Sequence, residues 1–292
     1  MRFHWGWIEP VMPVPYVPTL GPVRPDDPLP GLFDAVVANA DTGAFLPHDK
    51  DRRWSDTKTE YVLVDAIEHD QDQTLIPTLL ERGTGTVKVH VYGVRPNSVT
   101  AGADLARKLA PTTGAGKARV IWFLGPEQPE TYAQGVGTRV QLKDFAHGPG
   151  DDPGAAVGEY KQLPEDARAD FAAFAQQMAA DGFVFLHEQM RAGTVGPVLT
   201  VLHDGHVAGA IGPMETMTDP SGDLRLLPQY FGVLPQYRGH GYGRSLWRAA
   251  MHWGHQHGAA YQLLQTEVGG ASDRLCAAEG LRSLGFVNQR DV

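Results

Sequence analysis

Apolar and polar positions alternate with two different periods along the C-terminal half of the chain. Short alternating or continuous apolar runs predict strands at residues 155–163, 198–202, 206–211, 224–234 and 261–268. Apolar positions three and four residues apart predict helices at 164–180, 243–257 and 272–283, and a last strand begins at Gly285. The order β-α-β-β-β-α-β-α-β predicts an α/β fold (α+β layered), with a mixed central sheet flanked by helices.

Turn-forming residues mark the ends of these elements and the borders of domains. Asp204-Gly205 separates two apolar runs and predicts a tight hairpin. Residues 147–154 contain two Pro-Gly steps and two aspartates, which end any regular element. We therefore expect a proline- and aromatic-rich arm at 1–30 with Trp5 and Trp7 as anchors, a domain at 31–148 and a second domain at 155–292.

Composition places the chain among ordinary globular proteins. It has 292 residues, of which 42% are hydrophobic and 20% charged. No apolar run approaches the roughly 18–20 residues that span a bilayer, so we expect no membrane partner. Prolines at positions 10, 13, 15 and 18 interrupt the N-terminal region, which lacks the pattern of a secretory signal. We expect a cytoplasmic location.

The charged residues and the single cysteine exclude several kinds of site. The net charge is −9, from 25 Lys and Arg against 34 Asp and Glu, and no basic run is present, so we expect no nucleic-acid partner. One cysteine, Cys276, excludes an internal disulfide and a cysteine-based zinc site. The 12 histidines show no metal-binding spacing, and we expect no metal. The acidic balance favours a cationic small-molecule partner.

The segment from Phe231 to Arg244 joins a predicted strand to a predicted helix through a loop with three glycines. Such a loop presents backbone N–H groups at a helix N-terminus, where the helix dipole favours an anion such as phosphate. Arg238 adds a charged donor for the same anion. No Gly-Lys-Ser/Thr follows, which excludes a P-loop, and the single alternating glycines do not fit a dinucleotide fingerprint.

The same loop matches the Arg-x-x-Gly-x-Gly signature at Arg238, Gly241 and Gly243. A Val-x-Pro-x-Tyr-Arg-Gly run precedes it from Val233, and a Leu-Gly-Phe triplet follows at 284–286. With these motifs and the order of its elements, the segment 155–292 resembles the GCN5-related N-acetyltransferase (GNAT) superfamily.

The resemblance implies a GNAT fold, acetyl-CoA as co-substrate and a primary amine of a small molecule as acceptor, such as a cationic amino sugar, antibiotic or metabolite. It implies that the pantetheine arm lies between the strands at 224–234 and 261–268, and that the amine attacks the thioester directly. The cofactor-binding residues it implies are Phe231, Val233, Arg238, Gly239, His240, Gly241, Tyr242, Gly243 and Arg244.

The resemblance fails at the residues that move protons in many relatives. The position of the usual tyrosine acid, four residues before Gly285, is Leu281, and the position of a frequent asparagine is Arg274. For the base that deprotonates the amine we consider Glu215 and Glu267. The alternative is a solvated loop carboxylate for Glu215 and a surface or helix-capping carboxylate for Glu267. Two other functions therefore stay open: a non-catalytic acyl-CoA-binding module and an acyl-CoA decarboxylase on the same fold.

The N-terminal half repeats part of the same order. A strand at 87–94, a helix at 101–110, a strand at 118–124, a short helix at 129–134 and Gly135-Val136-Gly137 follow one another, without the glycine signature. The half resembles a second, degenerate GNAT-like domain that binds no cofactor in the usual way, as in the tandem arrangement of mycothiol synthase-like proteins. An unrelated α/β domain is the alternative.

Overall fold

A computed structural model describes residues 12–27, 29–93, 97–130 and 133–292. Its strands are β1 (Tyr16–Val17), β2 (Gly21–Pro22), β3 (Glu60–Val62), β4 (Glu68–His69), β5 (Gln73–Leu80), β6 (Thr86–Gly93), β7 (Lys117–Leu124), β8 (Gly137–Asp144), β9 (Val157–Glu159), β10 (Leu199–His203), β11 (His206–Gly212), β12 (Thr216–Thr218), β13 (Leu224–Leu226), β14 (Tyr230–Val233), β15 (Tyr261–Glu267) and β16 (Arg282–Asp291). Its helices are α1 (Leu29–Ala38), α2 (Ser98–Thr113), α3 (Glu165–Gln177), α4 (Phe183–Ala192), α5 (Tyr242–Gln256) and α6 (Ala271–Ala278).

The chain forms two compact units. The first comprises the residues up to Leu142 together with Leu263–Val292, and the second comprises Lys143–Gln262. The first border lies just before the Pro-Gly segment at 147–154, where the sequence predicts a domain boundary. Nothing in the sequence pattern predicts that residues 263–292 belong to the first unit.

The mixed α/β class is confirmed, and so are most of the expected elements. The hairpin at Asp204-Gly205 joins β10 and β11, and both turn residues have positive φ. The predicted strands and helix at 87–94, 118–124 and 101–110 are β6, β7 and α2. Trp5 and Trp7 lie outside the described residues, and the helix expected at 129–134 lies partly outside them.

One expected strand is wrong. The apolar run at 224–234 is not continuous, because β13 ends at Leu226 and β14 begins at Tyr230. Pro228 lies in the gap, and proline has no N–H to donate to a strand ladder. The chain therefore changes its pairing partners in the middle of this run.

Two further boundaries differ from the sequence pattern, and one helix was not predicted. The strand expected at 155–163 is only β9, after which residues 160–162 form a 3-10 turn. The helix expected at 272–283 ends at Ala278, because Gly280 adopts a φ of +75°. Helix α4 has no counterpart in the sequence reading and begins after Gly182, whose φ is +83°.

The first unit is built on a sheet with the order β8-β16-β7-β6-β5-β3, and β4 pairs with β5. The C-terminal strand β16 lies between β7 and β8 and is antiparallel to both, with Val287 opposite Phe123 and Thr138. Helix α2 covers one face, where Val89 and Ala106 are fully buried. Strands β6 and β7 pair in parallel without interruption from Thr86↔Lys117 to Val91↔Trp122.

The second unit contains a sheet with the order β14-β11-β10-β9. A Cβ at Gly232 would contact Met178 and Phe183, which shows that this face of β14 packs on the α3–α4 side. Phe231 and Val233 point to the other face, near Gly243 of α5. In the same unit β12 and β13 form a hairpin, and β13 pairs in parallel with Tyr261 and Gln262.

A buried polar cluster lies on the face of the first unit's sheet opposite α2. His90 is 1% exposed and its Nδ1 lies 3.2 Å from the carbonyl of Ile76. Glu60 lies 3.0 Å from the Nζ of Lys88. Burial lowers the pKa of His90 to about 4. Burial alone raises the pKa of Glu60, but Lys88 and His90 outweigh it and the pKa is lowered.

We expect Gly285→Ala to destabilise the first unit strongly. Gly285 has a φ of +116°, and a Cβ there would lie 2.5 Å from the carbonyl of Leu124 and 2.6 Å from Val14. Backbone strain and overpacking together predict a loss of roughly 2–6 kcal/mol in the free energy of unfolding. Gly280→Ala is the matched control, with a positive φ but open space, and costs roughly 1–2 kcal/mol. Equal losses in urea denaturation would contradict the packing argument.

We expect the stability of the protein to fall between pH 7 and pH 5 because of His90. The imidazole takes a proton in the unfolded chain below about pH 6.5, but in the folded protein only near pH 4. A lowered folded pKa means that stability is lost as the pH falls, by about 2 kcal/mol over this interval. Chemical denaturation at both pH values should show a smaller drop for His90→Gln. An identical drop in the variant would assign the effect to other groups.

Candidate active site

In the second unit, strand β13 loses its parallel partner β15 after two residue pairs. The parallel ladder between β13 and β15 consists of Arg225↔Tyr261 and Leu226↔Gln262. Beyond it the N–H of Leu227 donates to the carbonyl of Glu215 at 2.9 Å, and β14 then continues as the end strand of the sheet on β11. The first unit differs here, because its equivalent parallel pair, β6 and β7, stays together over six residues.

The register of β14 shows which backbone groups remain available. The N–H of Leu234 donates to the carbonyl of Ala208 at 2.9 Å, which makes this a hydrogen-bonded pair of the antiparallel ladder. Because such pairs alternate, Gly232 also bonds to β11, whereas the N–H and C=O groups of Phe231 and Val233 point away from it. Of these four groups, the carbonyl of Val233 accepts a hydrogen bond from the Nε of Arg238. The two backbone positions implied by the sequence resemblance thus lie on the open edge of the strand.

The glycine loop continues directly from this edge. Gly239 and Gly241 have φ angles of +87° and +82°, which a residue with a side chain rarely adopts. Helix α5 begins at Tyr242, with Gly241 as its N-cap. The N–H groups of the first helical turn have no partner within the helix, and together with the helix dipole they favour an anion.

Two arginines surround the loop. Arg238 and Arg244 are both exposed, and the Nε of Arg238 donates to the carbonyl of Val233 at 3.3 Å. The bond holds the guanidinium over the end of β14. The charge at this position is therefore suited to an anion placed on the start of α5.

A cluster of aromatic rings fixes the loop against the β10–β11 hairpin. The Nδ1 of His203 lies 2.7 Å from the hydroxyl of Tyr242, and its ring lies 4.7 Å from that of Tyr237. The ring of His240 stacks on Tyr242 at 5.7 Å. The Nδ1 of His240 also lies 3.2 Å from the carbonyl of Tyr237, so this exposed side chain turns back onto its own loop. The ring contacts stabilise the loop conformation.

The two carboxylates considered as bases differ in their surroundings. The Oε1 of Glu215 accepts a hydrogen bond from the N–H of Gly196 at 3.0 Å, and the side chain is half-buried. Glu267 is exposed at the end of β15 and belongs to the first unit. Glu215 therefore ties the segment after α4 to the segment before β12, whereas Glu267 has the surroundings of a solvated carboxylate.

Neither Leu281 nor Arg274, the two positions at which the resemblance leads us to expect residues for proton transfer, has a hydroxyl. Leu281 follows α6 and its N–H donates to the carbonyl of Cys276 at 3.0 Å, while Arg274 donates to the carbonyl of Gly269. Burial raises the pKa of the Cys276 thiol to about 12, so the thiolate is not available at neutral pH. Burial and the charge of Arg191 lower the pKa of His187, which favours its neutral form.

Two glutamines bond to each other at the strand break, and one of them, Gln262, was not found from the sequence. The Nε2 of Gln262 donates to the carbonyl of Leu227 at 3.3 Å and to the Oε1 of Gln229 at 2.7 Å. Gln262 is fully buried. A single glutamine inside an apolar strand carries no sequence signal for this role. Pro228, which interrupts the run, is the signal that points to the break.

Within the described ranges no three His, Cys, Asp or Glu side chains are grouped so that they can hold a metal ion. No helix in the same part of the chain is long and apolar enough to cross a membrane.

Comparison with solved structures finds similar folds at low identity. A GCN5-related N-acetyltransferase from Sphaerobacter thermophilus is 14% identical, with 77% of this chain and 82% of that chain covered and a TM-score of 0.45. A tandem GNAT protein from the clavulanic acid biosynthesis pathway, without AcCoA, is 15% identical over 89% of this chain and 92% of that chain, with a TM-score of 0.47. A GCN5-related N-acetyltransferase from Kribbella flavida is 12% identical over 78% and 90%, with a TM-score of 0.44.

Comparison with curated proteins finds no match. The model of the acetyltransferase (GNAT) family matches residues 162–277, a range that contains the whole glycine loop. The chain therefore carries a domain of the acetyltransferase (GNAT) family at these residues.

Proposed function

We propose that this protein transfers an acetyl group from acetyl-CoA to the primary amine of a small molecule. Family membership supports acyl transfer in general. The observation that carries the specific proposal is the open edge of β14, where the backbone groups of Phe231 and Val233 point away from β11 and lead directly into the loop at 238–243. The acidic net charge of −9 favours a cationic acceptor.

The residues of the second unit fit the two chemical parts of this donor. A pantetheine arm carries two amides and can bond to an unpaired strand edge as another strand does, here through Phe231 and Val233. A pyrophosphate fits the N–H groups at the start of α5, with Arg238 and Arg244 adding positive charge. When bound, acetyl-CoA supplies an activated thioester whose acyl carbon an amine can attack.

The described residues favour direct transfer over a covalent enzyme intermediate. The thiol of Cys276 is buried and protonated, and therefore unsuited as a nucleophile. We propose that the N–H of Phe231 polarises the acyl carbonyl. Glu215 and Glu267 are our proposals for the base. Because Leu281 cannot protonate the leaving thiolate, we propose that solvent does so.

The absence of a hydroxyl at Leu281 also favours a second candidate, a non-catalytic acyl-CoA-binding module. Such a protein would bind acetyl-CoA at the same edge and loop. It would not form an acetylated product from any amine, so that product analysis separates the two functions.

We expect acetyl-CoA to bind at one site per chain, because β6 and β7 stay paired in the first unit and leave no open edge between them. Calorimetric titration measures both the affinity and the stoichiometry. Gly241→Trp should abolish binding, since the indole covers the N–H groups of α5 and the φ of +82° disfavours a side chain.

Gly222→Trp is the matched control for this titration. Gly222 also has a positive φ, of +93°, and open space around it, but it lies in the β12–β13 turn. It should bind acetyl-CoA with the affinity of the unmutated protein. Failure of the unmutated protein to bind acetyl-CoA would contradict the proposal. Binding without product across a panel of amines would favour the non-catalytic module.

A further inference from the structure

The side-chain amide of Gln262 bonds to the chain just beyond the ladder between β13 and β15. Leu226↔Gln262 is the last backbone pair. The following carbonyl, of Leu227, accepts the Nε2 of Gln262 and also the Nε2 of Gln229. Two side chains thus satisfy this carbonyl at the point where β13 ends.

These bonds determine the orientation of the Gln262 amide. Its Nε2 faces two acceptors, the carbonyl of Leu227 and the Oε1 of Gln229, and an oxygen in that position would be repelled by both. The Oε1 of Gln262 must therefore point the other way. There it is buried and has no hydrogen-bond partner among the described residues.

An unsatisfied buried carbonyl is costly, by about 1–3 kcal/mol, and most buried polar atoms in proteins have a partner. The atom requires a donor such as an N–H group. Gln262 lies where β13 and β15 cease to pair, and the open edge of β14 begins a few residues beyond Leu227. Gln262 also bonds to Gln229, which immediately precedes β14, so its amide lies beside the start of this edge.

We propose that the Oε1 of Gln262 accepts a hydrogen bond from the pantetheine amide nearest the thioester of the acyl donor. Gln262 is then a specificity-determining residue that recognises the arm of the donor, separately from the loop that binds its phosphates. The assignment rests on the proposed function, because it requires that acyl-CoA occupy the second unit.

The test compares two ligands by calorimetry. Acetyl-CoA has the pantetheine arm, and 3′-phosphoadenosine 5′-diphosphate has the nucleotide without it. Gln262→Leu should weaken acetyl-CoA binding by about 10-fold, the size of one buried hydrogen bond, and change nucleotide binding by less than about twofold. The matched control is Gln265→Leu on the same strand, where the side chain is exposed and bonds to Thr138. It should change neither affinity.

A second measurement uses the unmutated protein and so does not depend on the folding of a variant. An acetyl-CoA analogue with an ester oxygen in place of the amide N–H nearest the sulfur should bind about 10-fold more weakly than acetyl-CoA. In Gln262→Leu the two donors should bind alike.

Three results would overturn the assignment while acetyl-CoA still binds. Unchanged acetyl-CoA affinity in Gln262→Leu would mean that a buried water satisfies the Oε1 or that the acceptor amine does. An equal loss for both ligands would make the residue structural only. Equal binding of the amide and ester donors by the unmutated protein would exclude the hydrogen bond. If the unmutated protein binds no acetyl-CoA, the proposed function fails first, and that result differs from all three.

Discussion

The candidate site depends on how the carbonyl of Leu227 is satisfied. The N–H of Leu227 donates to Glu215, so in a regular strand its carbonyl would face β12 as well, yet here it bonds to two glutamine side chains. Here Pro228 removes one ladder donor and the amides of Gln229 and Gln262 occupy the carbonyl. The chain can then leave one partner strand and continue on another without burying an unpaired carbonyl. The open groups of Phe231 and Val233 follow from this exchange of partners.

Each unit contains a parallel pair of strands, which is complete in the first unit and short in the second. In the first unit α2 connects β6 with β7, and these two strands pair in parallel. In the second unit α5 follows β14 and precedes β15, but the strand that pairs in parallel with β15 is β13. In the first unit the ladder is complete, and aromatic and polar side chains such as Tyr92 and His90 are buried on it. In the second the ladder contains two pairs only. The unit without a glycine signature is also the unit in which the parallel pair of strands, β6 and β7, stays complete.

The elements and the cofactor loop could be predicted because they depend on local signals: apolar periodicity, Asp204-Gly205 at a hairpin, and glycines before α5. The strand break was missed because a long apolar run outweighed Pro228. The role of Gln262 was missed because it comes from side-chain contacts across strands, which no local pattern records. The position of β16 depends on pairing with residues more than 130 positions away, and its apolar pattern is the same for any sheet it joins.

The position of β16 has a consequence for synthesis on the ribosome. Strands β7 and β8 leave the ribosome early, whereas β16 begins at residue 282. At the usual rate of about 5–20 residues per second, the strand that belongs between them follows after roughly 7–30 s. Throughout this time both strands have an unpaired edge, and such edges are templates for association with other chains. The nascent first unit therefore cannot complete its sheet until residues 282–291 have been synthesised.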